Sequence, residues 1–241
     1  MNKTGKVLLI ISVCINFVLI AILLYPKWVG EKTFDEYFSF GSYKDENMPL
    51  KKTGAAKVIF IGNSITRNWM NTDPEFFISN GYTCRGIGGQ TSSQLLLRFY
   101  QDVVELRPQI VIVNAGTNDI AMGDGFYDAQ FTLNNIKAMV DIASQNGIKV
   151  VLTSVLPAKE YKTSRLNTVK DVTSDIDDLN TEIEKYAQER NLYFIKYNNF
   201  LSDEKGYFNK NLTFDGVHPN AEGYKVMEGL IKPIIDSILA E

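Results

Sequence analysis

Four short stretches carry the side chains that could do chemistry. Ser64 lies in GNSITRNW, three positions beyond an apolar run that ends at Ile61. A serine at a strand-to-helix turn is a preferred helix N-cap, its oxygen taking a free backbone N–H. The same place suits a nucleophile whose own N–H, at a helix start, helps to hold an oxyanion. GIGGQTS brings Gly86, Gly88 and Gly89 together. Such a stretch makes a tight turn, or lets the backbone approach a ligand closely. NAGTNDI places Asn118 and Asp119 after another apolar run. An asparagine there either closes an Asx-turn or donates its NH₂ to charge developing on an oxygen. DGVHPNAEGY sets Asp215 three residues before His218, with Pro219 suited to a helix's first turn. A lone histidine is more often structural than catalytic, yet a carboxylate at that spacing can hold an imidazole by its Nδ1–H.

Strand candidates, most of them short apolar and β-branched runs, precede the first three stretches: Lys57–Ile61, Tyr82–Gly86 and Ile110–Ala115. Two more follow at Lys149–Val155 and Leu192–Lys196. Most lack strict alternation, as expected of strands buried on both faces. Helical patterns fill the intervals over Ser92–Leu106, Ala129–Asn146, Thr173–Arg190 and Ala221–Leu239. The last sets Tyr224, Met227, Leu230, Ile231, Ile234, Ile235 and Ile238 on one apolar face. This alternation predicts an α/β fold, a doubly wound, flavodoxin-like five-stranded parallel sheet flanked by helices. Ligands of such sheets bind beyond the carboxyl ends of the strands, which is where Ser64, Gly89 and Asn118 fall.

The 241 residues carry a formal net charge of -3 without a long run of either sign, which argues against a nucleic-acid surface. Cys14 lies in the N-terminal apolar stretch and Cys84 beyond it, so the folded domain has no disulfide to form. With a single histidine in the chain, a Cys/His metal site is not expected. Val7–Tyr25 is apolar but for Ser12 and Asn16. About 19 helical residues at ~1.5 Å each cover most of a ~30 Å hydrocarbon core. Leu24, Tyr25 and Pro26 stand where a signal peptide would need small residues, and Cys14 sits mid-stretch, where a lipoprotein's would follow the stretch. The expectation is an uncleaved transmembrane helix over residues 1–25, a connector over 26–54 and one domain over 55–241. Lys3 and Lys6 against Lys27 and Lys32 give a weak bias, and an N-inside anchor with an exported domain is the default.

Taken in order, the four stretches resemble the motifs of the SGNH hydrolase family, also called GDSL-like lipases and acylhydrolases, over roughly Lys57–Leu239. SVLPA (Ser154–Ala158) and DLN (Asp178–Asn180) look like its acetylhydrolase and carbohydrate-esterase branch. The resemblance implies a serine esterase with Ser64 as nucleophile, His218 as base and Asp215 as the orienting carboxylate. It implies an oxyanion hole made by the N–H groups of Ser64 and Gly89 and the amide of Asn118, and it requires no metal or organic cofactor. Two positions depart from the family. Asn63 stands where an Asp usually precedes the serine, and Gln90 where an Asp often follows the glycine pair. Both changes remove a negative charge near the nucleophile. The implied substrate is a small-molecule or glycan acyl ester. A tethered, exported hydrolase suits O-acetyl removal from polysaccharide, and the lack of a long apolar lid favours short acyl groups. One alternative is a lysophospholipase or thioesterase working on lipid-like esters. The other is a non-catalytic glycan-binding module, which would have no need of Ser64, Asp215 and His218 together.

Overall fold

The computed structural model describes residues 3–39, 41–123, 125–162 and 168–241. They fall into two compact units, Met1–Ser39 and Phe40–Glu241. The first unit is helix α1 (Lys3–Phe38). Its Thr4–Leu23 stretch has a mean hydropathy of 2.7, and Leu9, Phe17 and Leu23 are among its exposed apolar side chains. A helix this apolar and this uncovered meets the description of a membrane span and that of a signal sequence.

The second unit opens with α2 (Lys44–Thr53) and is built on parallel strands. In chain order the strands are β1 (Val58–Gly62), β2 (Tyr82–Gly86), β3 (Ile110–Val113), β4 (Lys149–Thr153), β5 (Glu160–Lys162), β6 (Thr168–Lys170) and β7 (Tyr193–Ile195). The main sheet has five of them in the order β2-β1-β3-β4-β7, while β5 and β6 pair as a separate antiparallel ribbon. Val58 sits opposite Tyr82 on one side and Ile110 on the other. The chain thus leaves β1 toward one edge and returns past it to build the other. A crevice opens at that switch, above the ends of β1 and β3.

The helices are α3 (Ser64–Thr72), α4 (Pro74–Asn80), α5 (Ser92–Asp102), α6 (Thr117–Ile120), α7 (Ala129–Gln145), α8 (Thr173–Glu189), α9 (Asn198–Leu201) and α10 (Ala221–Ala240). Successive residues of a strand face opposite ways. Ile59 and Ile61 therefore pack with Leu95, Phe99, Ile136 and Ile183 on one side of the sheet. Val58 and Phe60 pack with Trp69, Phe77, Met227 and Ile231 on the other. Of the apolar face expected of the last helix, Tyr224, Met227, Ile231, Ile235 and Ile238 are buried, while Leu230 and Ile234 at its margin are only partly buried.

The structure departs from the sequence reading in several places. Ser92–Leu106 is one helix by pattern but breaks after Asp102 into a 3₁₀ turn over Val104–Leu106, closed by Arg107 at φ 51°. α4 begins at Pro74 under an Asp73 cap, whose carboxylate accepts the Phe76 N–H at 3.1 Å. Within 26–54, helix α1 runs on to Phe38, and α2 lays Asn47 against the domain.

Candidate active site

At the end of β1 the cap of α3 is Asn63, whose Oδ1 accepts the Ile65 N–H at 2.9 Å. Ser64 is the next residue, the first of the helix, so its hydroxyl is not spent on capping. Ser64 Oγ lies 2.8 Å from His218 Nε2, and His218 Nδ1 lies 2.8 Å from Asp215 Oδ2. The other carboxylate oxygen, Asp215 Oδ1, accepts the N–H groups of Val217 at 3.0 Å and His218 at 2.8 Å. One carboxylate therefore shapes the loop and aims the imidazole. The loop is closed from behind by Thr213 Oγ1, which donates to the His218 carbonyl at 2.7 Å.

Partial burial pushes the Asp215 carboxyl up. The two N–H groups, the ring hydrogen bond and the attraction of His218 outweigh it and hold the group below the usual carboxylate range.

Across from the imidazole, Gly89 adopts φ +81°, a left-handed conformation that favours glycine. Asn118 lies in α6, just past β3, and its Nδ2 donates to the Gln90 carbonyl at 2.9 Å. A carboxamide NH₂ has a second donor, so that bond orients the side chain and leaves one N–H available. Ser64, Gly89, Asn118, Asp215 and His218 all line one open cleft of about 610 Å³. The sequence neighbours Asn118 and Asp119 part company here. Asp119 is buried and accepts the Ser92 N–H at 3.1 and 3.0 Å, tying α6 to the start of α5.

Two features had little or no signal in the sequence. The far wall of the cleft is Glu160, Tyr161 and Lys162 of β5, a strand too short to leave a pattern. Beneath the site lies a buried polar network around Arg98. Its guanidinium donates to Gln90 Oε1 at 2.6 Å, Asp102 Oδ2 at 2.9 Å, the Gly62 carbonyl at 3.0 Å and the Arg85 carbonyl at 2.7 Å. Asn47 of α2 completes it, donating to Asp102 Oδ1 at 2.7 Å and accepting from Arg85 Nε at 2.8 Å. Arg98 and Asp102 fall on the stripe of α5 that Leu95 and Phe99 bury, and a charged pair on an apolar stripe was the available clue.

A doubly wound sheet with serine, histidine and aspartate hydrogen-bonded in series at its carboxyl edge is the arrangement that serine hydrolases use. The chain belongs to the GDSL-like lipase/acylhydrolase family, whose model matches residues 60–226. A GDSL-like lipase from Bacteroides thetaiotaomicron is 44% identical, with a TM-score of 0.78 over 83% of this chain and 98% of that one. An acetyl xylan esterase, 23% identical with a TM-score of 0.58 over 74% of this chain and 99% of its own, shares the fold. N-acylneuraminate cytidylyltransferase of Escherichia coli is 29% identical over 157 residues, 62% of this chain. The chain spans about a third of the length of the curated relatives it matches, 32% and 34%.

Proposed function

We propose that the protein is a serine esterase that removes short acyl groups, O-acetyl above all, from carbohydrate. The observation that carries this is the unbroken series Ser64 Oγ, His218, Asp215, with 2.8 Å at each link, opening on the cleft that Gly89 and Asn118 also line. His218 Nε2 takes the hydroxyl proton as Ser64 Oγ attacks the ester carbonyl carbon. The carbonyl oxygen becomes an oxyanion and receives the N–H groups of Ser64 and Gly89 and the spare N–H of Asn118. Collapse of that intermediate expels the alcohol, which takes the proton back from His218. Water, activated in turn by His218, then frees the acid. Asn68, Thr117, Glu160 and Lys162 add polar groups to a lining that also has Ala121, Tyr161 and Val217, a mixture that suits a sugar better than a long acyl chain.

A fluorophosphonate probe is expected to label the wild-type chain and to leave Ser64→Ala unlabelled. p-Nitrophenyl acetate should be cleaved faster than longer-chain esters. A folded wild-type protein that takes no label would be a binding module, and rates that climb with chain length would point to lipid-like esters instead.

We also infer that Val7–Tyr25 stays in the mature protein as a single-pass anchor, with the hydrolase domain outside the cytoplasm. The support is the apolar, uncovered stretch of α1. N-terminal sequencing of the mature protein should then begin ahead of residue 7. A start at residue 26 or later would mean that the segment is a cleaved signal.

A further inference from the structure

We propose that Arg67 binds a carboxylate that the substrate carries close to its scissile ester, so that the favoured substrate is an acyl ester of an acidic sugar. The proposal rests on the esterase reading above and adds to it the charge of the substrate. Ser64, Arg67 and Asn68 sit at i, i+3 and i+4 of α3, and all of them line the cleft. Arg67 is thus about one helical turn, ~5 Å along the axis, from the nucleophile. That is the span of one sugar ring.

Gly88 is the seat of this side chain. A Cβ on Gly88 would fall 2.7 Å from Arg67 Nη1, 2.8 Å from Cζ and 2.8 Å from Nη2. Near-equal distances to three atoms of one plane place the guanidinium face-on over the glycine, against the loop that continues into Gly89. Seated this way, it keeps its in-plane N–H edge free, the edge that matches a carboxylate in a bidentate fork. Arg85, Arg98 and Arg190 each have an ion pair. Arg67 has none among the described residues, although it stands in a cleft.

Formal charge in the cleft balances, Arg67 and Lys162 against Glu160 and Asp215, and Lys162 is also without an ion pair among the described residues. The Asp215 carboxylate is turned to the imidazole of His218, which leaves Glu160 as the acid that could compete for the two cations. A lipid phosphate would also meet a guanidinium, but Ala121, Tyr161 and Val217, set among charged and polar groups, make only a small apolar wall for a long acyl chain.

The test compares hydrolysis of O-acetylated glucuronic acid and O-acetylated glucose by the full-length chain, with p-nitrophenyl acetate as a neutral reference. In the wild type the acidic sugar should have the higher kcat/KM, and its advantage should shrink as salt is added. Arg67→Met should lower the acidic-to-neutral ratio of kcat/KM about 10- to 100-fold, as loss of a charge-assisted hydrogen-bond pair predicts, through KM rather than kcat. Arg67→Lys should recover part of it, since the charge returns without the fork. Gly88→Ala leaves Arg67 in the chain but takes its seat away, and should lower the same ratio. A wild-type ratio near one, or a ratio that Arg67→Met does not move, overturns the proposal while leaving the esterase reading intact. Preference for a lysophospholipid over the acidic sugar overturns the assignment to sugar. Failure to cleave even p-nitrophenyl acetate overturns the esterase reading itself.

Discussion

Replacing His218 with alanine is expected to lower kcat/KM on p-nitrophenyl acetate by roughly 10³-fold or more and to abolish the acid limb of the pH profile. His218 is the chain's single histidine, and its Nε2 is 2.8 Å from Ser64 Oγ. That nitrogen can serve as the base only while it carries no proton, so the rate should fall in acid. Asp215 does not follow it. Burial raises its carboxyl, but the His218 and Val217 N–H groups and the imidazole bring it below the usual range. A carboxylate with a lowered folded-state pKa contributes stability that is complete above its unfolded value, and that is lost only as pH falls through the lowered one. The loop that Asp215 shapes should therefore outlast the loss of activity in acid, and activity should return on neutralisation. Measuring kcat/KM and circular dichroism over the same pH series checks both halves. Near-normal hydrolysis by His218→Ala removes the triad, and unfolding that coincides with the loss of rate removes the pH argument.

Asp215→Asn separates the two duties of that carboxylate. An asparagine oxygen can still accept the Val217 and His218 N–H groups, so the loop keeps its shape. Its NH₂ would face Nδ1 and favour the tautomer that cannot serve Ser64.

Ser64, Gly89 and Asn118 could be singled out in the sequence because each follows a strand closely, and Asp215 and His218 because they stand three apart ahead of the last helix. The β2 limits Tyr82–Gly86 match the sequence reading, in which the segment starts after Gly81 and closes on Gly86. Ile110–Ala115 and Lys149–Val155 overran their strands by two residues each, because Asn114, Ala115, Ser154 and Val155 stay buried past the last ladder pair. Ser64 looked like a helix cap because Ser and Asn both serve. The sequence offered both at adjacent positions, and only geometry shows that Asn63 takes the task. Helix α2 left no apolar stripe to find. Its buried residue is Asn47, and its tie to the domain is a set of hydrogen bonds and Tyr43, whose hydroxyl donates to the Gly86 carbonyl at 2.7 Å.

Gln90 was visible in the sequence as a departure from the family, but its reason lies in contacts with residues that the sequence does not single out. Arg98 is fully buried, its charge met by Asp102. An aspartate at position 90 would set a second carboxylate against the same guanidinium. Glutamine supplies the oxygen, at 2.6 Å, without the charge.

Arg98→Met is accordingly expected to destabilise the domain by about 3–5 kcal/mol, the usual effect of removing one partner from a buried ion pair. Burial alone would draw the Arg98 guanidinium down, and Asp102, by attraction and hydrogen bonding, supports its charge. Methionine fills the space but leaves the Asp102 carboxylate buried, with Asn47 as its remaining described hydrogen-bond donor. The carbonyls of Gly62 and Arg85, at the ends of neighbouring strands, lose the donor they share. For a domain of this size, 1 kcal/mol moves Tm by roughly 2–4 °C, so a fall of about 10 °C is the expected scale in thermal unfolding. Arg98→Met combined with Asp102→Leu should recover much of it, because an apolar pair of similar volume leaves no buried charge unpaired. If Arg98→Met melts with the wild type, the network is incidental to stability. If the double variant regains Tm but not kcat, Arg98 also positions the chain. It holds the Gly62 carbonyl two residues ahead of Ser64 and the Gln90 side chain one residue past Gly89, so its loss would loosen both sides of the proposed oxyanion site while the fold survives.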